Sequence, residues 1–117
     1  MARAGDDTLP LLRGTLDLLV LKALTWGPMH GFAIVSWLEA SSRGTIGVED
    51  SALYQALHRL EARGLVDADW GVTENNRKAR WYRLTTAGRQ RLRRETGTWL
   101  RYTQSVTHIL TLTQREA

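Results

Sequence analysis

The chain has 117 residues, of which 43% are hydrophobic and 24% charged, with two prolines and no cysteine; this is one domain's worth of sequence, able to build a core without disulfides or a metal staple. The lack of cysteine excludes a thiol nucleophile or a thiolate zinc site and fits a reducing cytoplasm, while the longest apolar run, Leu16 to Leu24, is broken by Asp17 and Lys22, is too short to span a membrane and is followed by no small-residue cleavage pattern, so neither a transmembrane helix nor a signal peptide is expected. The net charge of +4 is unevenly placed, with four basic against six acidic residues over 1–58 and twelve basic against six acidic over 59–117, so a polyanion is the partner that the second half fits best.

Residues 1–11 lack any apolar period and read as a flexible N-terminal arm. Leu16, Leu19, Val20, Ala23 and Leu24 then recur at helical spacing, with Thr15 as the expected N-cap and Gly27-Pro28 as a stop. A second helix is expected to begin near His30, which can cap it, and to carry Phe32, Ile34, Val35 and Leu38 before Ser41, Ser42, Arg43 and Gly44 break it. A third runs from about Asp50 to Arg63, with Leu53, Leu57 and Leu60 on its inner face and Gly64 at the C′ position, where a left-handed residue is favoured. After Gly64 the period becomes alternating: Val66, Ala68 and Trp70 on one run and Tyr82 and Leu84 on the next predict a hairpin. Its connection, Gly71 to Ala79, holds the turn formers Asn75 and Asn76 and the cations Arg77 and Lys78. A last helix is expected over residues 86–113, followed by a tail at 114–117. Leu92, Trp99 and Val106 recur on it every seven residues.

Three helices followed by a hairpin with a basic tip form the element order of a winged helix-turn-helix. The fold expected is therefore mainly α (α+β), with a DNA-binding domain over 12–85, a β-hairpin wing and a long C-terminal dimerisation helix. A helix fits the major groove of duplex DNA, where polar side chains meet base edges while cations neutralise phosphates. Away from its leucines the third helix presents Ser51, Gln55, His58, Arg59 and Ala62, with Tyr54 at the boundary. Gln55 has the chemistry for a bidentate adenine contact. The candidate DNA-binding residues are Ser51, Tyr54, Gln55 and Arg59 on this helix and Arg77, Lys78 and Arg80 on the wing.

Three segments carry a family resemblance: Gly27-Pro28-Met29-His30-Gly31-Phe32; Leu53-Tyr54-Gln55-Ala56-Leu57-His58-Arg59-Leu60-Glu61 with Gly64-Leu65-Val66; and Arg83-Leu84-Thr85-Thr86-Ala87-Gly88. In this order they resemble the PadR family of bacterial transcriptional regulators, from about Leu12 to Leu112. Phe32 stands where that family commonly has Tyr, and Gln55 where it often has Pro. The resemblance implies a dimeric winged-helix repressor with the third helix and wing on operator DNA and the first and last helices in the dimer. The single C-terminal helix resembles the family's short subgroup.

Leu92, Trp99, Val106 and Ile109 are accordingly expected at a homodimer interface. Some short regulators of this kind sense flat apolar molecules between subunits, so Trp99, flanked by Thr96 and Thr103 and with Gly97 leaving space, is the candidate site for a small aromatic or apolar effector. The plainer expectation is that Trp99, like Trp26, Trp37, Trp70 and Trp81, fills space in a core. The histidines, His30, His58 and His108, are too far apart for a helical metal motif, and there is no phosphate-cradling glycine loop or nucleophile elbow. Neither enzymatic activity nor a cofactor or metal is expected. The alternative is a winged-helix adaptor for protein or structured RNA, against which the basic wing argues.

Overall fold

A computed structural model describes residues 14–114; the expected arm at 1–11 and residues 115–117 of the expected tail lie outside them. Helix α1 (Thr15–Ala23) runs into a 3₁₀ turn (Leu24–Trp26) that stops at Gly27, whose φ of 134° is open to glycine alone. Gly14, not Thr15, holds the N-cap position. Thr15 is already inside the helix, so its hydroxyl cannot reach the first-turn amides, and Oγ1 is buried without a hydrogen-bond partner. Met29–His30 then form a strand, β1, too short to leave an alternation in the sequence. Helix α2 (Gly31–Ser41) is capped by His30, whose Nδ1 accepts from the Ala33 N–H at 3.2 Å.

Helix α3 (Asp50–Ala62) ends as its glycine predicts. Gly64 turns left-handed at φ 71°, its N–H donates to Glu61 O at 3.0 Å, and the Leu65 N–H reaches back to Leu60 O at 2.9 Å. Strands β2 (Val66–Val72) and β3 (Lys78–Leu84) pair antiparallel from Val66↔Leu84 to Val72↔Lys78. Only Thr73–Arg77 remain as the turn, closed by the Thr73 N–H donating to Arg77 O at 2.8 Å. The expected nine-residue connection is thus shorter, because the ladder continues outward, and Lys78 lies in a strand instead of a loop. On its other edge β3 pairs with β1, giving the sheet order β1-β3-β2.

Helix α4 (Thr86–Leu110) stops three residues before the expected end at 113. There Thr111 folds its hydroxyl onto the Thr107 carbonyl at 2.8 Å, and the helix is not continued. The core gathers Val20, Leu21 and Leu24 of α1, Ile34 and Leu38 of α2, Leu53, Leu57 and Leu60 of α3, and Leu65, Val66, Tyr82 and Leu84 around the hairpin base. From α4 only Gly88 is buried, with Leu92 packed against the edge of the core.

Two glycines of α4 should respond oppositely to alanine. A Cβ on Gly88 would collide with the Leu65 carbonyl oxygen and lie 2.8 Å from Leu84 Cδ1. Gly88→Ala should therefore destabilise the fold by about 1 to 3 kcal/mol, despite alanine's better helix propensity. At Gly97 a Cβ would meet only the tip of Arg101 at 3.6 Å, so Gly97→Ala should stabilise by about 0.5 to 1 kcal/mol. Urea unfolding of the two variants checks both signs.

Candidate nucleic-acid interface

Helix α3 buries Leu53, Ala56, Leu57 and Leu60 and leaves Ser51, Tyr54, Gln55, His58, Arg59 and Ala62 exposed, as its period requires. The faces are not equivalent. On the flank toward α1, Arg59 grips Asp17 through two bonds, Nη2 to Oδ1 at 2.6 Å and Nε to Oδ2 at 3.3 Å. This hydrogen bonding raises the guanidinium pKa still further above its ordinary value. On the flank toward the wing, Glu61 receives Arg80 in the same forked manner, at 3.1 and 3.4 Å. Two of the seven expected DNA contacts are thus engaged inside the molecule, where they brace α3 against α1 and against β3.

Ion pairing also thins the basic run. Arg83 pairs with Asp69 at 2.6 Å and Arg91 with Glu95 at 3.3 Å. Arg77 and Lys78 enter no ion pair among the described residues, and they project at the wing tip beside Asn75 and Asn76. Asn76 takes the left-handed conformation (φ 59°) that the turn demands.

Tyr54 sits at the boundary as expected, half-exposed, its hydroxyl over the first residue of α2; a Cβ on Gly31 would lie 2.7 Å from that oxygen. Tyr82, below it on β3, is buried, and burial pushes its hydroxyl pKa up against the opposing charge of Arg80. Between the start of α2, the outer flank of α3 and the outer half of the hairpin lies an open cleft of about 1140 Å³. Two residues whose spacing suggested packing line it instead. Phe32 is 77% exposed and Trp70 66% exposed. Phe32 is two residues, or about 200° of helix, before Ile34, so it points away from the core. Trp70 shares a hairpin face with Val66 and Ala68, but the ladder outruns the core and its outer end faces the cleft, with Lys78 Nζ 5.9 Å from the indole centroid. Trp26 is likewise exposed, whereas Trp37, Trp81 and Trp99 are half-buried. Trp81 packs edge-on against His30 at 4.9 Å, room for its ring coming from Gly71.

On α4, Leu92, Trp99 and Val106 fall on one stripe, which emerges from the core as it goes: Leu92 and Trp99 are half-buried, Val106 is 37% and Ile109 65% exposed. Tyr102 and Leu110 add further exposed apolar surface to it. Thr96 and Thr103 share the face of Trp99, and the Thr103 hydroxyl bonds back to the Trp99 carbonyl at 3.0 Å. Gly97 lies about 200° around the helix from Trp99 and leaves no space beside it. Among the described residues no cluster of metal-ligating side chains is found, and no helix is long and apolar enough to cross a membrane.

The model of the transcriptional regulator PadR-like family matches residues 20–94. A PadR family transcriptional regulator from Eggerthella lenta superposes with a TM-score of 0.74 at 32% identity, covering 86% of each chain. A transcriptional regulator from Clostridium thermocellum superposes with a TM-score of 0.75 at 24% identity, over 86% of this chain and 96% of that one, and shows the shared fold. An uncharacterised 37.1 kDa protein of a Streptomyces fradiae transposon is 43% identical over 79 residues, which are 68% of this chain but only 21% of that protein. The family model spans the end of α1, all of α2, α3 and the wing, and the start of α4. The chain belongs to the PadR-like family of transcriptional regulators, and is a winged-helix, DNA-binding regulator of transcription, not an enzyme.

Proposed function

We propose that this protein acts in the cytoplasm as a repressor, binding a palindromic operator as a homodimer. The observation that supports the DNA contact is that Tyr54 and His58 on the polar face of α3 line one cleft with the wing cations Arg77 and Lys78, which enter no ion pair among the described residues. Ser51 and Gln55 are suited to base edges, Tyr54 to the backbone beside them, and Arg77 and Lys78 to phosphates. Arg59 and Arg80 set the angle of α3 relative to α1 and the wing; their role in binding is to hold that frame.

The dimer rests on α4. A helix of 25 residues is about 37 Å long, yet of its residues only Gly88 is fully buried. The radius of gyration of 16.7 Å exceeds the roughly 13 Å of a compact chain this size. The stripe of Trp99, Val106 and Ile109 is what a second copy would cover, and a two-fold pair would present two α3 helices to half-sites one helical turn apart. Trp99, with Thr96 and Thr103 on its face, is where a flat apolar effector would enter this interface, and such a ligand would act by favouring one spacing of the α3 helices over another. Titrating a planar dye into wild type and Trp99→Leu tests that site; equal affinities would remove Trp99 from it.

Selection of bound sequences from a random duplex pool should return an inverted repeat. Trp99→Asp should shift sedimentation from dimer to monomer and lower operator affinity in the same samples; a wild type that sediments as a monomer at micromolar concentration contradicts the dimer.

Charge and base recognition should separate by salt. Arg77→Gln with Lys78→Gln should weaken binding to every duplex and flatten the salt slope by about 0.9 for each phosphate no longer neutralised. Gln55→Ala should lower discrimination between selected and random duplex by about 1 to 3 kcal/mol and leave the slope alone. Equal losses on both duplexes for both variants would rule out this division.

A further inference from the structure

Phe32 and Trp70 are the unexplained feature of this surface. Both are large apolar side chains left mostly in water, one on α2 and the other on the hairpin, and both line the same cleft together with Tyr54. Single exposed apolar residues are ordinary, but several converging in a concavity mark a contact surface. Neither ring contributes to the buried core.

We infer that Phe32 and Trp70 form an apolar clamp that seats the deoxyribose backbone of one DNA strand beside α3, adding a component of binding that salt does not erode. This rests on the DNA-binding reading of α3 and the wing and deepens it. The charge distribution selects the occupant. Inside the cleft the Arg80 charge is taken up by Glu61, so the interior is electrically balanced and aromatic, unsuited to a bare phosphate but suited to sugar and base edges. At the outer end Arg77 and Lys78 outnumber Glu74, and there phosphates would be held. The cleft is also continuous with the exposed face of α3 through Tyr54 and His58. The cleft, of about 1140 Å³, is open along its side, as a groove for a polymer must be.

Because a sugar contact is independent of sequence, the test uses a fluorescein-labelled random-sequence DNA duplex, followed by anisotropy across a salt series. Phe32→Ala and Trp70→Ala should each weaken binding about 5- to 20-fold. The factor should be the same at every salt concentration, so the salt slope is unchanged, and Trp70→Phe should recover most of the affinity. Both side chains are exposed, so unfolding midpoints should match wild type. Unchanged affinity in both alanine variants, or a weakening accompanied by a flatter slope, would overturn the clamp while leaving the DNA-binding reading in place. So would a planar dye that binds wild type tightly, fails to bind Trp70→Ala, and leaves DNA affinity untouched, since the cleft would then belong to a small ligand. A wild type that binds no duplex removes both readings at once.

Discussion

The hydroxyl of Thr85 ties together the three parts on which this protein depends. It donates to the Gly64 carbonyl at 2.8 Å and accepts from the Gly88 N–H at 3.0 Å, while the Thr85 N–H donates to Leu65 O at 3.2 Å. One residue thus joins the end of α3, the end of the wing and the start of α4. The approach is close enough that Gly88 has no room for a side chain, while Gly64 is left-handed because it ends α3. Neither glycine serves helix or strand propensity; each serves the junction.

Around that junction, ion pairs work as braces. Asp17–Arg59 and Glu61–Arg80 are forked pairs on partly exposed side chains, worth at most about 1 kcal/mol each as exposed pairs. Their value is geometric, since the planar fork of a guanidinium fixes orientation as well as distance. They hold α3 between α1 and β3, so the polar face between the two braces is displayed in one orientation. A recognition surface needs that rigidity more than it needs additional cations.

The apolar surface falls into two unlike groups. On α4 it continues a stripe that begins in the core and emerges from it toward Val106 and Ile109. In the cleft it is set apart from the core and bordered by charged side chains. The distinction depends on what surrounds each ring and not on its hydrophobicity.

Much of this was legible in the residues themselves. Apolar residues at helical spacing located α1, α2 and α3, the switch to alternation after Gly64 located the hairpin, and Gly64 located the end of α3, because each of these signals acts over one or two turns of chain. The family resemblance carried the function, a DNA-binding regulator of transcription. What local pattern could not determine was decided by contacts between distant residues. Strand β1 exists only because β3 offers it a partner some fifty residues away. Arg59 and Arg80 looked like available cations until folding brought Asp17 and Glu61 to them. Phe32 and Trp70 looked like core residues, since alternation and spacing report which side a residue faces but not whether the core extends far enough to meet it. Period is a property of the local backbone; burial and charge pairing are properties of the whole fold.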